Sequence, residues 1–117
     1  MAVSDNVKRG SIEVVILTLL NEKDMYGYEL SQEIQKRSNG RYSILESSMY
    51  PTLYRLVNKG FISDRQEKVG KRRVRVYYHL EPKGADYLLV ARKEWLSLIT
   101  GVLNILDIEN LEEICNE

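Results

Sequence analysis

The hydrophobic pattern first predicts two helices. In the first, Ser11 is a candidate N-cap, and Val14 and Leu17 lie outside the main apolar stripe, which predicts burial against more than one neighbour. A second helix is predicted over about 26–38, and Asn39-Gly40 provides its stop signal. The main stripe of the first helix consists of Ile12, Val15, Ile16, Leu19 and Leu20.

A third helix is predicted to begin near Ser47 or Ser48, to carry Pro51 in its first turn and to end at Gly60. The spacing predicts a buried side formed by Met49, Leu53, Leu56 and Val57. A second stripe is polar and basic, and nothing in a core requires it. We therefore expect this stripe to be exposed. It consists of Ser48, Thr52, Arg55 and Lys59.

Two strands and a long helix follow. Residues 61–68 are a weak strand candidate, and residues 73–80 alternate apolar and polar with a period of two. The intervening turn, 69–72, carries the densest positive charge of the chain. Glu81-Pro82 starts the last helix, which we expect to run to about Asp107.

The last helix carries a heptad stripe with spacings of 3, 4, 3, 4 and 3. A second apolar stripe runs beside it. Because one small domain cannot cover so much apolar surface, we expect one stripe to pack on the first helix and the other to form a dimer. The alternative is a helix folded wholly onto its own domain. The heptad stripe is the predicted dimer or ligand interface and consists of Leu88, Ala91, Trp95, Leu98, Val102 and Ile105.

The order helix, helix, helix, basic hairpin, long helix is typical of a winged helix-turn-helix. We therefore predict a mainly α fold with a small β hairpin, followed by a long C-terminal dimerisation helix. The predicted DNA-binding domain covers residues 5–81, and residues 82–117 form the dimerisation helix and an acidic tail. In such a fold the third helix enters the major groove and the hairpin lies along the backbone.

The charge of the 117-residue chain is zero overall but strongly segregated. Twelve of the 17 basic residues, but only four of the 17 acidic ones, lie within 36–83, which gives this segment a net charge of +8 and the rest −8. Such asymmetry indicates a polyanionic partner for the middle of the chain. Solvated helix ends and a basic hairpin without a partner are the plain alternative.

The sequence also argues against several classes of protein. Its longest apolar run, 12–20, is too short for a membrane span of about 20 residues. One cysteine excludes a disulfide framework or a cysteine-rich zinc site. No catalytic residues, metal ligands or cofactor motif emerge, and the lone His79 is expected to be solvated or to face a phosphate. We expect a cytoplasmic protein that is neither an enzyme nor membrane-bound.

Three stretches then resemble the PadR-like family of winged helix-turn-helix transcriptional regulators, over roughly residues 10–106. They are Met25-Tyr26-Gly27-Tyr28-Glu29-Leu30, Ser48-Met49-Tyr50-Pro51-Thr52-Leu53-Tyr54-Arg55-Leu56 and Gly60-Phe61-Ile62-Ser63, and the hairpin ending Arg75-Val76-Tyr77-Tyr78-His79-Leu80 continues the match. The resemblance implies a homodimeric repressor that reads a pseudo-palindromic operator in double-stranded DNA. It also implies that ligands release the DNA in some members.

The resemblance implies DNA contacts by the third helix through Ser48, Tyr50, Thr52 and Arg55. We add Lys59 from the same helix, and phosphate contacts by the hairpin. Tyr50 has two interpretations, contact with a sugar or a thymine methyl group, and packing against Tyr54 and Val57. The predicted phosphate-binding residues of the hairpin are Lys71, Arg72, Arg73 and Arg75.

Trp95 lies in the middle of the heptad stripe, where a two-fold dimer would place it against its own copy. It is expected to serve either as interface core or as a wall for a small aromatic effector. The main alternative to a DNA-binding regulator is a winged-helix adaptor that binds proteins and not DNA. An adaptor needs neither the basic hairpin nor the polar helix face.

Overall fold

The computed structural model describes residues 3–107, with side chains described from residue 10 onward. The four helices and the two strands of the hairpin occur in the predicted order, and one short strand is added between the first two helices. The elements are α1 (Val3–Leu20), β1 (Met25–Tyr26), α2 (Gly27–Arg37), α3 (Glu46–Asn58), β2 (Ile62–Val69), β3 (Arg73–Leu80) and α4 (Pro82–Ile105).

Helices α1, α2 and α3 enclose the core with the inner face of the sheet. Ile16 and Leu17 of α1 are fully buried, which confirms that this helix is covered on more than one face. Helix α1 begins eight residues before Ser11, so Ser11 is not its N-cap. The Ser11 hydroxyl instead lies 2.8 Å from the Tyr42 hydroxyl in the loop between α2 and α3.

The predicted hairpin is part of a three-stranded antiparallel sheet in the order β1-β3-β2. Its register pairs Ile62 with Leu80 and Val69 with Arg73, so β2 and β3 form a full-length ribbon. The additional strand β1 pairs Met25 with Tyr78. Two residues are too short for a period of two to show in the sequence, which is why β1 was not predicted.

Helix α3 begins at Glu46, so Pro51 is its sixth residue and not part of the first turn. The predicted end is confirmed, because Gly60 has a positive φ of 76° and its N–H bonds the Val57 carbonyl at 3.0 Å. The Phe61 N–H bonds the Leu56 carbonyl at 3.0 Å, which completes a Schellman motif. This motif directs the chain from α3 straight into the sheet.

Helix α4 packs its first half on α1 and extends beyond the domain. Leu88 and Ala91 are buried, and the Trp95 indole N–H donates to the Gly10 carbonyl at 3.1 Å. Beyond Trp95 most of the large apolar side chains are exposed. They are Leu96, Leu98, Ile99, Val102, Ile105 and Leu106.

Candidate nucleic-acid interface

The exposed face of α3 is displaced from the face that the sequence predicted. Ser48, Arg55 and Lys59 are exposed as expected, but Thr52 is only 6% exposed. The expectation that Thr52 lies on the solvent-facing stripe is wrong, because the packing of α1 and α2 against α3 covers that side of the helix.

The centre of the exposed face consists of residues that the sequence analysis did not assign to DNA contact. Spacings of 4, 3 and 4 place them opposite the buried Met49 and Leu56. The sequence did contain the information needed to find this face, because the helical period alone shows which positions lie opposite the buried stripe. These residues are Ser47, Pro51, Tyr54 and Asn58.

The cations at one edge of α3 lie beside a carboxylate of α1. An Arg55 guanidinium nitrogen is 3.5 Å from a Glu13 carboxylate oxygen, and the Lys59 ammonium is 4.0 Å from the same oxygen. Both cations remain about half exposed. Exposed ion pairs of this kind contribute about 0.2–1 kcal/mol, so either cation can exchange Glu13 for a phosphate at modest cost.

Tyr50 is held by a contact that neither of its two interpretations anticipated. Its hydroxyl donates to a Glu46 carboxylate oxygen at 2.6 Å, and this hydrogen bond to the anion raises the pKa of Tyr50 to about 12. The Glu46 carboxylate itself lies over Gly27, the first residue of α2, where a Cβ atom would come within 3.0 Å of it. Glycine therefore lets an anion sit at the N-termini of both α2 and α3, where the helix dipoles favour negative charge.

The tip of the β2–β3 ribbon presents cations to solvent. Lys71, Arg72 and Arg73 are exposed, and within the described part of the chain none of them forms an ion pair. Arg75 is half-buried, with its guanidinium carbon 4.3 Å from the centre of the Tyr26 ring. Arg75, two residues further along β3 than Arg73, is thus held against Tyr26, whereas the other three project from the end of the ribbon.

A charged cluster ties the ribbon to the loop before β1. The His79 ring nitrogen Nδ1 donates to an Asp24 carboxylate oxygen at 2.7 Å, and the Arg65 guanidinium pairs with the other oxygen. The His79 hydrogen bond, together with Arg65, lowers the pKa of Asp24, although partial burial opposes the shift. Asp24 was not predicted, since nothing in the sequence connects residue 24 with residue 79.

The heptad stripe of α4 divides into two parts. Leu88 and Ala91 belong to the core of their own domain, so the expectation that they form an intermolecular surface is wrong; α1 already covers them. Trp95 is partly buried and borders an open hollow of 230 Å³ between α1 and α4. The rest of the stripe, Leu98, Val102 and Ile105, is 61%, 45% and 84% exposed.

Across the described residues there is no cluster of three His, Cys, Asp or Glu side chains that could hold a metal ion. The same part of the chain holds no helix long and apolar enough to cross a membrane.

Comparison with known proteins identifies the family. The model of the transcriptional regulator PadR-like family matches residues 16–89, which is more than half of the chain. The chain belongs to the PadR-like family of transcriptional regulators. Members of this family regulate transcription and are not enzymes, so the absence of a catalytic set in the sequence is accounted for.

Individual relatives agree with this assignment. An uncharacterized protein of Lysinibacillus sphaericus is 39% identical over 93 residues, which are 80% of this chain and 85% of that protein. A transcriptional regulator of Clostridium thermocellum has a TM-score of 0.76 at 34% identity, with 85% of this chain and 95% of that one covered. The PadR of Bacillus subtilis, solved in complex with operator DNA, has a TM-score of 0.62 at 27% identity over 73% of this chain and 46% of that one.

The family assignment agrees with the elements described above. The match includes all of α2, α3 and the β2–β3 ribbon, together with the last turn of α1 and the first two turns of α4. In a winged helix-turn-helix, α3 is the recognition helix and the β2–β3 ribbon is the wing. The predicted winged helix-turn-helix, mainly α with a small β hairpin, is confirmed, with β1 as an additional strand.

Proposed function

We propose that this PadR-like regulator is a homodimeric repressor that binds a pseudo-palindromic operator in double-stranded DNA. The observation that carries the proposal is the position of three cations, Lys71, Arg72 and Arg73, at the tip of a wing that follows an exposed recognition helix; none of the three forms an ion pair within the described residues. The similar Bacillus subtilis PadR, whose complex holds operator DNA, supports it.

In the proposed complex, α3 lies in the major groove. Ser48 and Tyr50 near its N-terminus contact base edges or sugars, while Arg55 and Lys59 contact the backbone at its other end. Thr52 takes no part, because it is buried. The wing neutralises phosphates through Lys71, Arg72 and Arg73, while Arg75 is held against the Tyr26 ring.

The dimer is proposed to form through the second half of α4. The second half of α4 exposes a stripe of large apolar side chains, Leu98, Val102 and Ile105. A contiguous exposed apolar surface of this kind marks a site of protein–protein contact. Residues 82–117 thus supply the dimerisation element, and residues 5–81 the DNA-binding domain. A small aromatic effector bound beside Trp95 would act by changing the dimer geometry and hence the spacing of the two recognition helices.

The DNA proposal is tested by an electrophoretic shift of the protein on its own promoter DNA at 50 and 200 mM salt. We expect a shifted band whose affinity falls steeply with salt, because phosphate contacts release counterions. A protein-interaction adaptor would give no shift. Binding that does not weaken with salt would also contradict the proposal.

The wing is tested by replacing Arg72 and Arg73 together with alanine. We expect affinity to fall about equally for operator and unrelated DNA, and the slope of log affinity against log salt to become shallower by about two. The matched control removes two exposed cations from α4, Arg92 and Lys93, and should leave both quantities unchanged. A loss confined to the operator would show that the arginines read bases.

A further inference from the structure

The centre of the recognition-helix face holds no Lys or Arg. Arg55 is the only cation within α3, and it lies at one edge, with Glu13 3.5 Å away and the Thr52 hydroxyl 3.4 Å away. Lys59 lies beyond the last turn, beside the same carboxylate. The bidentate contact of an arginine with guanine, the commonest specific contact in the major groove, is therefore not available to the middle of this helix.

The middle of the face is apolar instead. Tyr54 is 69% exposed and Pro51, one turn before it, is also exposed. Proline offers no N–H to a base, and its ring is purely apolar. Both residues line an open hollow of 570 Å³ between α3 and the sheet. The other residues that line it are Ser47, Tyr50, Val57, Asp64 and Tyr78. An exposed aromatic ring and a proline on a helix that is otherwise well packed indicate a partner with an apolar group.

Only one base presents an apolar group in the major groove. Thymine projects its C5-methyl group, whereas the other three bases present only hydrogen-bond donors and acceptors there. The neighbouring basic wing indicates that the partner of this surface is a nucleic acid. We propose that Pro51 and Tyr54 determine sequence specificity by contacting thymine methyl groups in each operator half-site. This inference rests on the proposed DNA-binding function.

Deoxyuridine tests the contact at the level of one methyl group, because it keeps every donor and acceptor of thymine. The operator sequence is first obtained by selecting bound duplexes from a random library with the wild-type protein. Each thymine of a half-site is then replaced singly by deoxyuridine, and affinities are measured by fluorescence anisotropy. We expect at least one replacement to weaken wild-type binding about three- to tenfold, the range that burial of one methyl group supports.

The variants P51A and Y54A should bind the operator more weakly and should lose the sensitivity to deoxyuridine at the same positions. The control K71A, which removes a wing cation, should weaken thymine- and uracil-containing operators equally and keep that sensitivity. Thermal unfolding of each variant checks that the fold is retained; P51A restores a backbone donor to α3 and changes only an exposed side chain.

The outcomes distinguish a failure of the thymine-methyl contact from a failure of the proposed DNA-binding function. If the wild-type protein enriches no sequence, the proposed DNA-binding function fails, and this inference with it. If an operator is obtained but no deoxyuridine replacement weakens binding, the methyl contact is overturned while the function stands. Retention of the full deoxyuridine penalty in both P51A and Y54A would likewise assign the contact to other residues.

Discussion

At the scale of single residues, the environment of each charge determines what it can do at the interface. Arg55 and Lys59 lie beside Glu13, and Arg65 lies between Asp24 and Glu67, so these three cations are already partly neutralised. The three cations at the wing tip have no such neighbour among the described residues. The sequence alone does not distinguish these six cations. In the folded protein the three at the wing tip are the ones available to bind an external anion.

The contact between Glu46 and Tyr50 predicts a measurable titration. We expect Glu46→Ala to lower the pKa of Tyr50 from about 12 towards the ordinary value of 10, because the phenol then no longer donates to a carboxylate. The pKa is measured by NMR titration of labelled tyrosine, with Tyr50→Phe to assign the resonance. Glu29→Ala, which removes an acid from the first turn of α2, serves as the control. An unchanged pKa in Glu46→Ala would contradict the contact.

Asp24 predicts a pH dependence of stability. Its pKa is lower in the folded protein than its ordinary value of 3.8, so its pairing with His79 and Arg65 stabilises the fold above pH 4 and is lost as the pH falls through the folded-state pKa. Asp24→Asn should therefore lower the free energy of unfolding at pH 7 by up to about 1 kcal/mol. The difference from wild type should shrink below about pH 4 in denaturant titrations.

Asp64→Asn is the matched control for this measurement. Asp64 is exposed on β2 and forms no ion pair within the described residues. It should leave the free energy of unfolding at pH 7 nearly unchanged. Equal effects of the two substitutions would mean that the Asp24 cluster adds nothing specific.

At the scale of elements, close backbone contacts fix where the wing and α4 begin. The Glu81 N–H bonds the Phe61 carbonyl at 3.0 Å, and Gly84 lies so close that a Cβ atom would come within 2.0 Å of the same carbonyl oxygen. Only glycine allows the first turn of α4 to cross the start of β2 at this distance. The direction of α4, and with it the dimer proposed above, depends on this crossing.

Gly84→Ala is therefore expected to destabilise the protein by about 1–3 kcal/mol, because the backbone must shift to make room for the methyl group. Gly101→Ala provides a control in the same helix, where a Cβ atom meets nothing within 4 Å. It should stabilise the protein by up to about 1 kcal/mol through helix propensity. Urea unfolding at a fixed chain concentration compares the two, and destabilisation by both would argue against the specific contact.

At the scale of the whole molecule, two surfaces lack partners within the described chain. One is the basic wing with the exposed face of α3, and the other is the apolar second half of α4. Helix α4 gives the molecule its elongated shape, with a longest dimension of 54 Å against 30 and 27 Å. An extended apolar helix of this kind is typical of an association surface, which is why the proposed homodimer is placed there.

Leu98→Glu tests the dimer. A charge at this 61% exposed position should prevent burial of the stripe and give monomers in sedimentation, since an unpaired carboxylate is costly to desolvate. Ser97→Glu adds the same charge one residue away, on the polar side of α4, and should leave a dimer. A dimer that persists in Leu98→Glu would place the interface on another face.

The sequence by itself determined the order and type of the elements other than β1, the end of α3 at Gly60 and the family. These features are local: they depend on helical and strand periods, on a glycine that tolerates a positive φ and on short motifs. They can therefore be recognised in the sequence without the tertiary structure. Tertiary packing decided which flank of each helix is covered. Thr52 is buried and Tyr54 is exposed because α1 and α2 lie against one side of α3. Leu88 belongs to the core and not to the proposed dimer interface because α1 covers it. Helical period gives the direction of a side chain, whereas its burial depends on neighbours that are distant in the chain.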